Sequence, residues 1–424
     1  MNPGPQVVRR LGTCDAVVVG LGSMIGAGVF SAFAPAAAAA GVGLLIGLVV
    51  AAVVALCNAT ASAQLAAQYP LWGGTYLYGR EQLGEWWGFL AGWAFVVGKC
   101  ASCAAMSLTV AAYVLPPQWQ RLGAAAAVVL LAAVNYRGVT RTVRATRVLL
   151  AVVLAVLGFV VVTGLSGGRP DPAGLAVPFS ADGGWYGVLQ SGGLLFFAFA
   201  GYARIATLGE EVRDPQRTIP RAIVLALAAT VVLYALVGAT ALLVLGPSRL
   251  AGTNAPLVEV VRAARWDAAA PVVAAGAAAA SLSALLVLLA GVARTALSMA
   301  RHGDLPRWLA AVHPRHGVPH RAEVALAAVV SALVLSVDLP TAIGFSSFGV
   351  LVYYLVANAS AFVQPVEWRR YPRALQVVGI VGCAALAATL PGSAVLAGVG
   401  VLAAGVALRA GRRSLSAHRR RRTR

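Results

Sequence analysis

The sequence predicts an all-α polytopic membrane protein with twelve transmembrane helices. Three observations carry that fold class. First, the 424 residues are 60% hydrophobic and only 11% charged, where a soluble domain carries about 25% charged residues. Second, the mean hydropathy is +0.81. Third, apolar runs of about 18 residues or more recur from end to end, each long enough to cross a ~30 Å hydrocarbon core as a helix. The ~10-residue segments of alternating polarity that mark a membrane β-barrel are absent.

In chain order the expected spans are 13–37, 41–67, 86–112, 123–136, 146–166, 187–209, 220–246, 268–299, 322–337, 340–363, 374–390 and 392–409. The fourth and the ninth to twelfth are short or closely spaced, so eleven is the alternative count. Arginine placement orients them. Loops 136–147, 210–221, 301–321 and 364–373, the tail from Arg409, and Arg9, Arg10 and Arg80 hold 25 arginines on one side. The other side has Arg121, Arg169, Arg249, Arg262 and Arg265. The positive-inside bias puts both termini in the cytoplasm, which requires an even number of spans and supports twelve.

The net charge of +19 and pI near 10.9 do not indicate nucleic acid, because the arginines sit in short loops and in the tail, where they act as topology signals and touch anionic lipid. No cleavable signal is read at the N-terminus. Cys14, Cys57, Cys100, Cys103 and Cys383 are scattered and mostly fall within spans. Cys100 and Cys103 have redox or zinc spacing, but an apolar helix interior suits small core residues better.

Two spans look interrupted. The first contains GLGSMIGAGVF, with Gly20, Gly22, Gly26 and Gly28 at membrane depth. Each glycine lowers helix stability by about 1 kcal/mol relative to alanine. Unwound backbone at that depth is tolerated only where it is buried in protein or lines a cavity; close helix packing is the competing explanation. The sixth contains FFAFAGYARIATLGEEVRDPQRTIPRAI, where Gly201 follows Phe196, Phe197 and Phe199 and precedes Tyr202, and polar residues enter early. Interrupted segments opening each half of the chain point to a secondary transporter built from inverted repeats. Spans one to five and six to ten would be the halves. Free N–H groups at the start of an outer half-helix carry the positive dipole end and bind a carboxylate. Carbonyls freed at the break bind an ammonium. An amino acid offers both groups at one carbon.

GSMIGAGVF, the span-six segment above and GVARTALSMARHGDLPRWLAAVHPRHGVPH (291–320) together resemble the amino acid–polyamine–organocation superfamily of permeases, most closely bacterial amino acid permeases. The likeness covers residues 12 to about 365. It implies a LeuT-type five-plus-five inverted-repeat bundle and alternating access. It implies a 1–12 cytoplasmic N-terminus, a 13–363 transport core, additional spans over 374–409 and a basic cytoplasmic tail over 410–424. It implies that a substrate carboxylate rests on the amides of Gly26, Ala27 and Gly28. The amine would meet carbonyls near Met24, Ile25, Phe197 and Ala200. Phe196, Phe197, Phe199 and Tyr202 would shape or gate the pocket around Gly201, or serve as cover. In proton-coupled relatives a lysine on the fifth span stands in for sodium; the matching residue here is Val153. An acid common near position 203 is replaced by Ala203 and Arg204.

Lys99 is the chain's one lysine beside 32 arginines, and it lies in the middle of span three. An ionisable group there costs at least ~2.5 kcal/mol on insertion scales and is a functional-site hypothesis by default. Arginine stays protonated; a buried lysine can lose its proton. Lys99 is therefore a candidate for the missing coupling cation, with an ion pair to Glu210 or Glu211, direct substrate contact, or snorkelling as competing roles. Arg204, Glu210 and Glu211 are gating candidates at the inner end of span six. Arg294 fits a structural or gating ion pair. Ser281 and Ser283 fit helix packing more readily than a sodium site.

Other classes fit less well. A channel would need an acidic ring or filter loop. An enzyme would need paired carboxylates or a His/Asp set at an interface; His302, His313, His316, His320 and Asp304 share one loop without a zinc spacing. A nutrient sensor on the same fold would need a signalling domain. No G-x-x-x-x-G-K-[ST] loop occurs, so ATP does not drive the protein directly. The expectation is a multi-pass secondary active transporter in a bacterial cytoplasmic membrane. It would move an amino acid by proton coupling or exchange, without a cofactor or metal. A polyamine or other organocation permease is the alternative. Partners would be the amino acid, the bilayer and protons, with no nucleic acid.

Overall fold

A computed structural model describes residues 11–69, 74–138, 143–167, 183–202, 205 and 212–422, with side chains as far as Arg412. The described chain is helical, and an isolated parallel bridge joins Leu11 to Val212. Eight of its helical segments are long and apolar enough to cross a membrane. The protein is a polytopic helical membrane protein.

The first expected span is three pieces, α1 (Thr13–Met24), α2 (Ala27–Ser31) and α3 (Phe33–Ala40). Span two is α4 (Leu44–Gln68) and span three is α6 (Glu85–Val114). A helix not expected from the sequence, α5 (Thr75–Gln82), lies between them. Next come α7 (Gln120–Tyr136), α8 (Val143–Gly167) and α9 (Gly184–Phe199). Span seven, α10 (Pro215–Ala251), starts five residues early and bends at Gly246, where φ is +71°. A second unexpected short helix, α11 (Pro256–Ala263), precedes α12 (Ala270–Arg301). The chain ends with α13 (His320–Ser336), α14 (Leu339–Val363), α15 (Arg373–Thr389) and α16 (Gly392–Arg422). α16 continues as helix past the expected stop at 409.

Small residues let α6 serve as the central post, packed between α12 and α14. A Cβ on Gly98 would lie 3.0 Å from the Gly349 Cα, so the α6 and α14 backbones touch there. Ser102 and Ser346 share a 2.5 Å hydrogen bond across the same seam. α4 and α14 are cross-linked by polar side chains, a common glue between membrane helices. The Asn358 amide donates to Asn58 Oδ1 at 2.6 Å, and the Gln64 amide donates to the Ala361 carbonyl at 3.2 Å. Outward-facing Leu130, Val162, Val232 and Leu396 are exposed, as expected of a surface solvated by lipid tails.

Candidate functional site

The expected interruption in span one is present. α1 stops at Met24, and Ile25 (φ −80°, ψ 65°) forms an inverse γ-turn. The turn closes with the Gly26 N–H donating to the Met24 carbonyl at 2.8 Å. α2 then begins, and α3 continues it through Ala32, whose N–H donates to the Gly28 carbonyl. The first-turn amides of a helix have no intrahelical acceptor. Among the described residues those of Ala27, Gly28 and Val29 have none at all. The donor set therefore sits one residue further on than the expected Gly26, Ala27 and Gly28, because the γ-turn occupies the Gly26 amide.

Span six breaks at the same level. α9 ends at Phe199 and passes into one 3₁₀ turn over Ala200–Tyr202. A Cβ on Gly201 would lie 2.2 Å from the Ser23 carbonyl oxygen, and one on Gly28 would lie 2.5 Å from the Ala198 Cα. The two broken helices thus cross backbone to backbone at two glycines. Met24, Ile25, Gly26, Ala27 and Gly28 lie on one side of this crossing and Phe197, Phe199, Ala200, Gly201 and Tyr202 on the other. The aromatics divide. Phe196, Phe199 and Tyr202 are 0% exposed and pack on tyrosines: Phe196 and Tyr202 on Tyr354, Phe199 on Tyr234. They are core cover. Phe197 and Ala200 keep 7% and 6% exposure, and Gln190 and Leu194 of α9 line the cavity described below.

Two tyrosines missed in the sequence complete the crossing. On α10, the Tyr234 hydroxyl lies 2.7 Å from the Met24 carbonyl and 3.1 Å from the Ala198 carbonyl. On α6, the Tyr113 hydroxyl donates to the Phe30 carbonyl at 2.7 Å and accepts the Leu257 N–H of α11 at 3.3 Å. Each is a tyrosine inside a span rather than at a membrane interface, the one signal that sequence offered.

Above the crossing lies a cavity of about 270 Å³ bounded by Ser31, Gln190, Leu194, Asn254, Leu339 and Ala394. A second, of about 260 Å³, shares Asn254 and Leu339 with it and reaches Arg121 and Asp338. At the opposite, basic end, contacts among the described residues cross between elements. Leu11 bridges Val212, and the Arg213 N–H donates to the Leu11 carbonyl at 2.9 Å. Asp15 of α1 pairs with Arg147 of α8.

Lys99 is buried in α6 at 7% exposure. Among the described residues its ammonium has no carboxylate or hydrogen-bond partner. The Tyr113–Phe30 contact fixes the register of α6 against the break. At 1.5 Å per residue, Lys99 falls on the order of 10 Å from the break toward the basic end. Val153 is buried in α8. Arg204, Glu210 and Glu211 lie outside the described residues. Arg294 acts electrostatically on the buried Glu323 of α13.

Beyond Lys99, the basic end holds a network that sequence reading did not assemble. The Arg409 side chain, 4% exposed, reaches Asp304 at 2.7 Å. It also donates to the Glu85 carbonyl at 2.7 Å and lies 4.7 Å from the ring centroids of Trp86 and Phe89. Asp304 accepts from the Tyr76 hydroxyl at 2.8 Å, and Arg80 bonds Glu85 at 2.9 Å. Burial and the Asp304 carboxylate push the Tyr76 phenol upward. On the other flank, His313, His316 and His320 pack around Tyr136.

Comparison with known proteins agrees with this architecture. The family model described as amino acid permease matches residues 15–408. An uncharacterized transporter of Mycobacterium tuberculosis is 59% identical over 402 residues, covering 95% of this chain and 91% of its own. Cationic amino acid transporter 7 of Arabidopsis thaliana is 31% identical, covering 85% and 66%. The branched-chain amino acid permease of Bacillus subtilis is 26% identical, covering 92% and 86%. The chain belongs to the amino acid permease family of membrane transporters.

Proposed function

We propose that the protein moves an amino acid across a bacterial cytoplasmic membrane by alternating access, driven by a proton gradient or by exchange. In this reading the four shorter apolar helices, α7, α9, α13 and α15, also cross. That gives twelve spans, with spans one to ten as five-plus-five inverted repeats and both termini cytoplasmic. The observation that carries the reading is the crossing of two broken helices. It brings unpaired amides of Ala27, Gly28 and Val29 within reach of a carboxylate. In this reading the carbonyls near Ile25, Phe197 and Ala200 meet the ammonium. Phe197, Ala200 and the Ile25 turn then meet the side chain.

The cavity above Ser31 is the outer approach. The Leu11–Val212 bridge and the Asp15–Arg147 pair are the inner closure. Arg204, Glu210 and Glu211 remain candidates for the same closure. Lys99 stands on the inner half of the path, below the substrate rather than against it, and acts as the coupling cation in place of the absent span-five lysine. A buried ammonium on that path, with no carboxylate partner among the described residues, repels a second cation. The reading therefore favours amino acids with uncharged or acidic side chains over arginine, lysine and polyamines.

The test is uptake of a labelled amino-acid panel into proteoliposomes, with and without an imposed inward proton gradient. Concentrative uptake of at least one neutral or acidic amino acid is expected. If none moves under a gradient or in exchange, amino acid transport is the wrong function.

A further inference from the structure

Three of the chain's histidines gather on one aromatic ring at the basic end. His313, His316 and His320 lie 5.4, 6.4 and 6.1 Å from Tyr136, the last residue of α7. The His313 ring is 4.7 Å from that of His316 and 5.5 Å from that of His320. His313 also builds the turn that joins α12 to α13. Its Nδ1 accepts the Arg315 N–H at 3.2 Å and the His316 N–H at 3.3 Å. Its own N–H donates to the Val318 carbonyl at 2.8 Å, and its carbonyl accepts the Gly317 N–H at 2.9 Å. A ring nitrogen that accepts a hydrogen bond carries no proton. The turn is therefore built on a neutral His313.

We propose that this cluster is a pH-sensitive clasp: it holds the α12–α13 loop on the end of α7 when its imidazoles are neutral and releases it in acid. Histidine is the side chain that ordinarily changes charge between pH 5 and 8. A protonated Nδ1 on His313 is a donor facing two donors, so both turn bonds are lost at once. The closed turn binds fewer protons than the open one, so its stability is present at high pH and lost as pH falls. The surroundings offer little compensation. Among the described residues no carboxylate pairs with any of the three rings. The charged residues beside the cluster are Arg137 after α7, Arg315 in the turn and Arg321 on α13. The nearby acid, Glu323 of α13, is acted on by Arg294 of α12. A second imidazolium a few ångströms from the first adds repulsion. The loop has another anchor, the Asp304–Arg409 pair at its opposite end. Between the two anchors it holds the basic end of α12, the helix whose Ala284 Cβ would lie 2.9 Å from a Cβ on Gly26 at the break. Release of the clasp thus frees one end of a helix that packs on the crossing.

The test is hydrogen–deuterium exchange of the Arg315, His316 and Gly317 amides in the full-length protein. Protection is taken relative to the unstructured peptide at the same pH. No substrate is involved, so the result stands apart from whether the protein transports amino acids. Between about pH 8 and about pH 5.5 wild type is expected to lose protection there by about tenfold or more. The Trp266 amide, bonded to Val261 at 3.0 Å in a turn without histidine, is expected to keep its protection. His313→Asn places an acceptor that does not titrate in the same position and is expected to stay protected at both pH values. His320→Gln removes one ring and leaves the bonds of the turn in place, so its loss is expected at lower pH than in wild type. Equal protection of wild type at both pH values overturns the inference. So does a His313→Asn loss as large as that of wild type, or a His320→Gln loss at the wild-type pH.

Discussion

Gly201→Ala is expected to destabilise the protein and to disable the crossing, whereas a glycine replacement elsewhere in the same bundle helps. A methyl on Gly201 would lie 2.2 Å from the Ser23 oxygen, 2.4 Å from the Ser23 carbonyl carbon and 2.6 Å from the Met24 nitrogen. All three are backbone atoms at the last turn of α1, so no side chain can rotate away. Relief requires the two broken helices to separate by about 1 Å. Overpacking of that kind costs roughly 1–3 kcal/mol. A 1 Å displacement also exceeds the ~0.5 Å tolerance of a preorganised site. Gly158, on the lipid-facing side of α8, is the control. It has nothing within 4 Å of its added Cβ, and Gly→Ala in an exposed helix gains about 0.5–1 kcal/mol. The two variants add the same methyl, so thermal midpoints measured side by side should move in opposite directions, by a few degrees each. The reasoning is refuted if Gly201→Ala melts with wild type, because the close crossing then does not exist.

Three further outcomes are expected. Arg409→Ala leaves the Asp304 carboxylate buried without its nearest cation, a loss of about 3–5 kcal/mol; Arg409→Lys recovers only part of it, since lysine cannot lie flat between Trp86 and Phe89 while bonding Asp304 and the Glu85 carbonyl. Chemical denaturation of the two variants orders them, and equal stability would remove the network's importance. Asp15→Asn breaks a pair whose side chains are 19% and 57% exposed, so its stability cost stays below about 1 kcal/mol; its effect should appear as faster labelling, from the basic end, of a cysteine placed at Ile205, and unchanged labelling would exclude Asp15 from the closure. Lys99→Arg should bind substrate while losing the response to a proton gradient, since arginine does not deprotonate; normal gradient-driven uptake by that variant ends the coupling role.

The parts of the fold set by local pattern were readable from the sequence. Apolar runs located α4, α6, α8, α12 and α14 to within a few residues, because membrane helices must satisfy their backbone internally. GSMIGAGVF pointed to either a break or close helix packing, and the structure shows both, a break at Ile25 and close approach at Gly28. What escaped detection depends on which residues meet across the chain. The γ-turn at Ile25 takes the Gly26 amide and moves the donor set to Val29, a one-residue shift that composition cannot express. Tyr234 is 36 residues from Ala198 and 210 from Met24, so its role exists only after folding. α5 is short and polar, and its place depends on Tyr76 meeting Asp304. Arg409 read as the first residue of a basic tail. It is instead a buried point on a stripe of α16 that includes Gly398 against Phe348 and Gly405 against Trp93.

That stripe bears on how the cations are divided. Arg80, Arg147 and Arg409 each meet a carboxylate near the basic end, where an ion that never loses its proton gives a permanent tie. Arg409 shows why lysine would not serve: the cation must stack on two rings and bond in two directions at once. Lys99 has none of these features. It lies deeper, on α6 between the network and the crossing, with Cys103 one turn further along the helix and no carboxylate among the described residues. A structural tie built there would have used arginine and an acid, as the chain does elsewhere. Among the described residues no acid stands beside it, so the ties that hold the arginines are not repeated there. The same α6 carries Glu85 in the network, Lys99 in the middle and Tyr113 at the outer contact with Phe30. Under the proposed coupling role, a change of charge at Lys99 would act on the helix that carries both of these contacts.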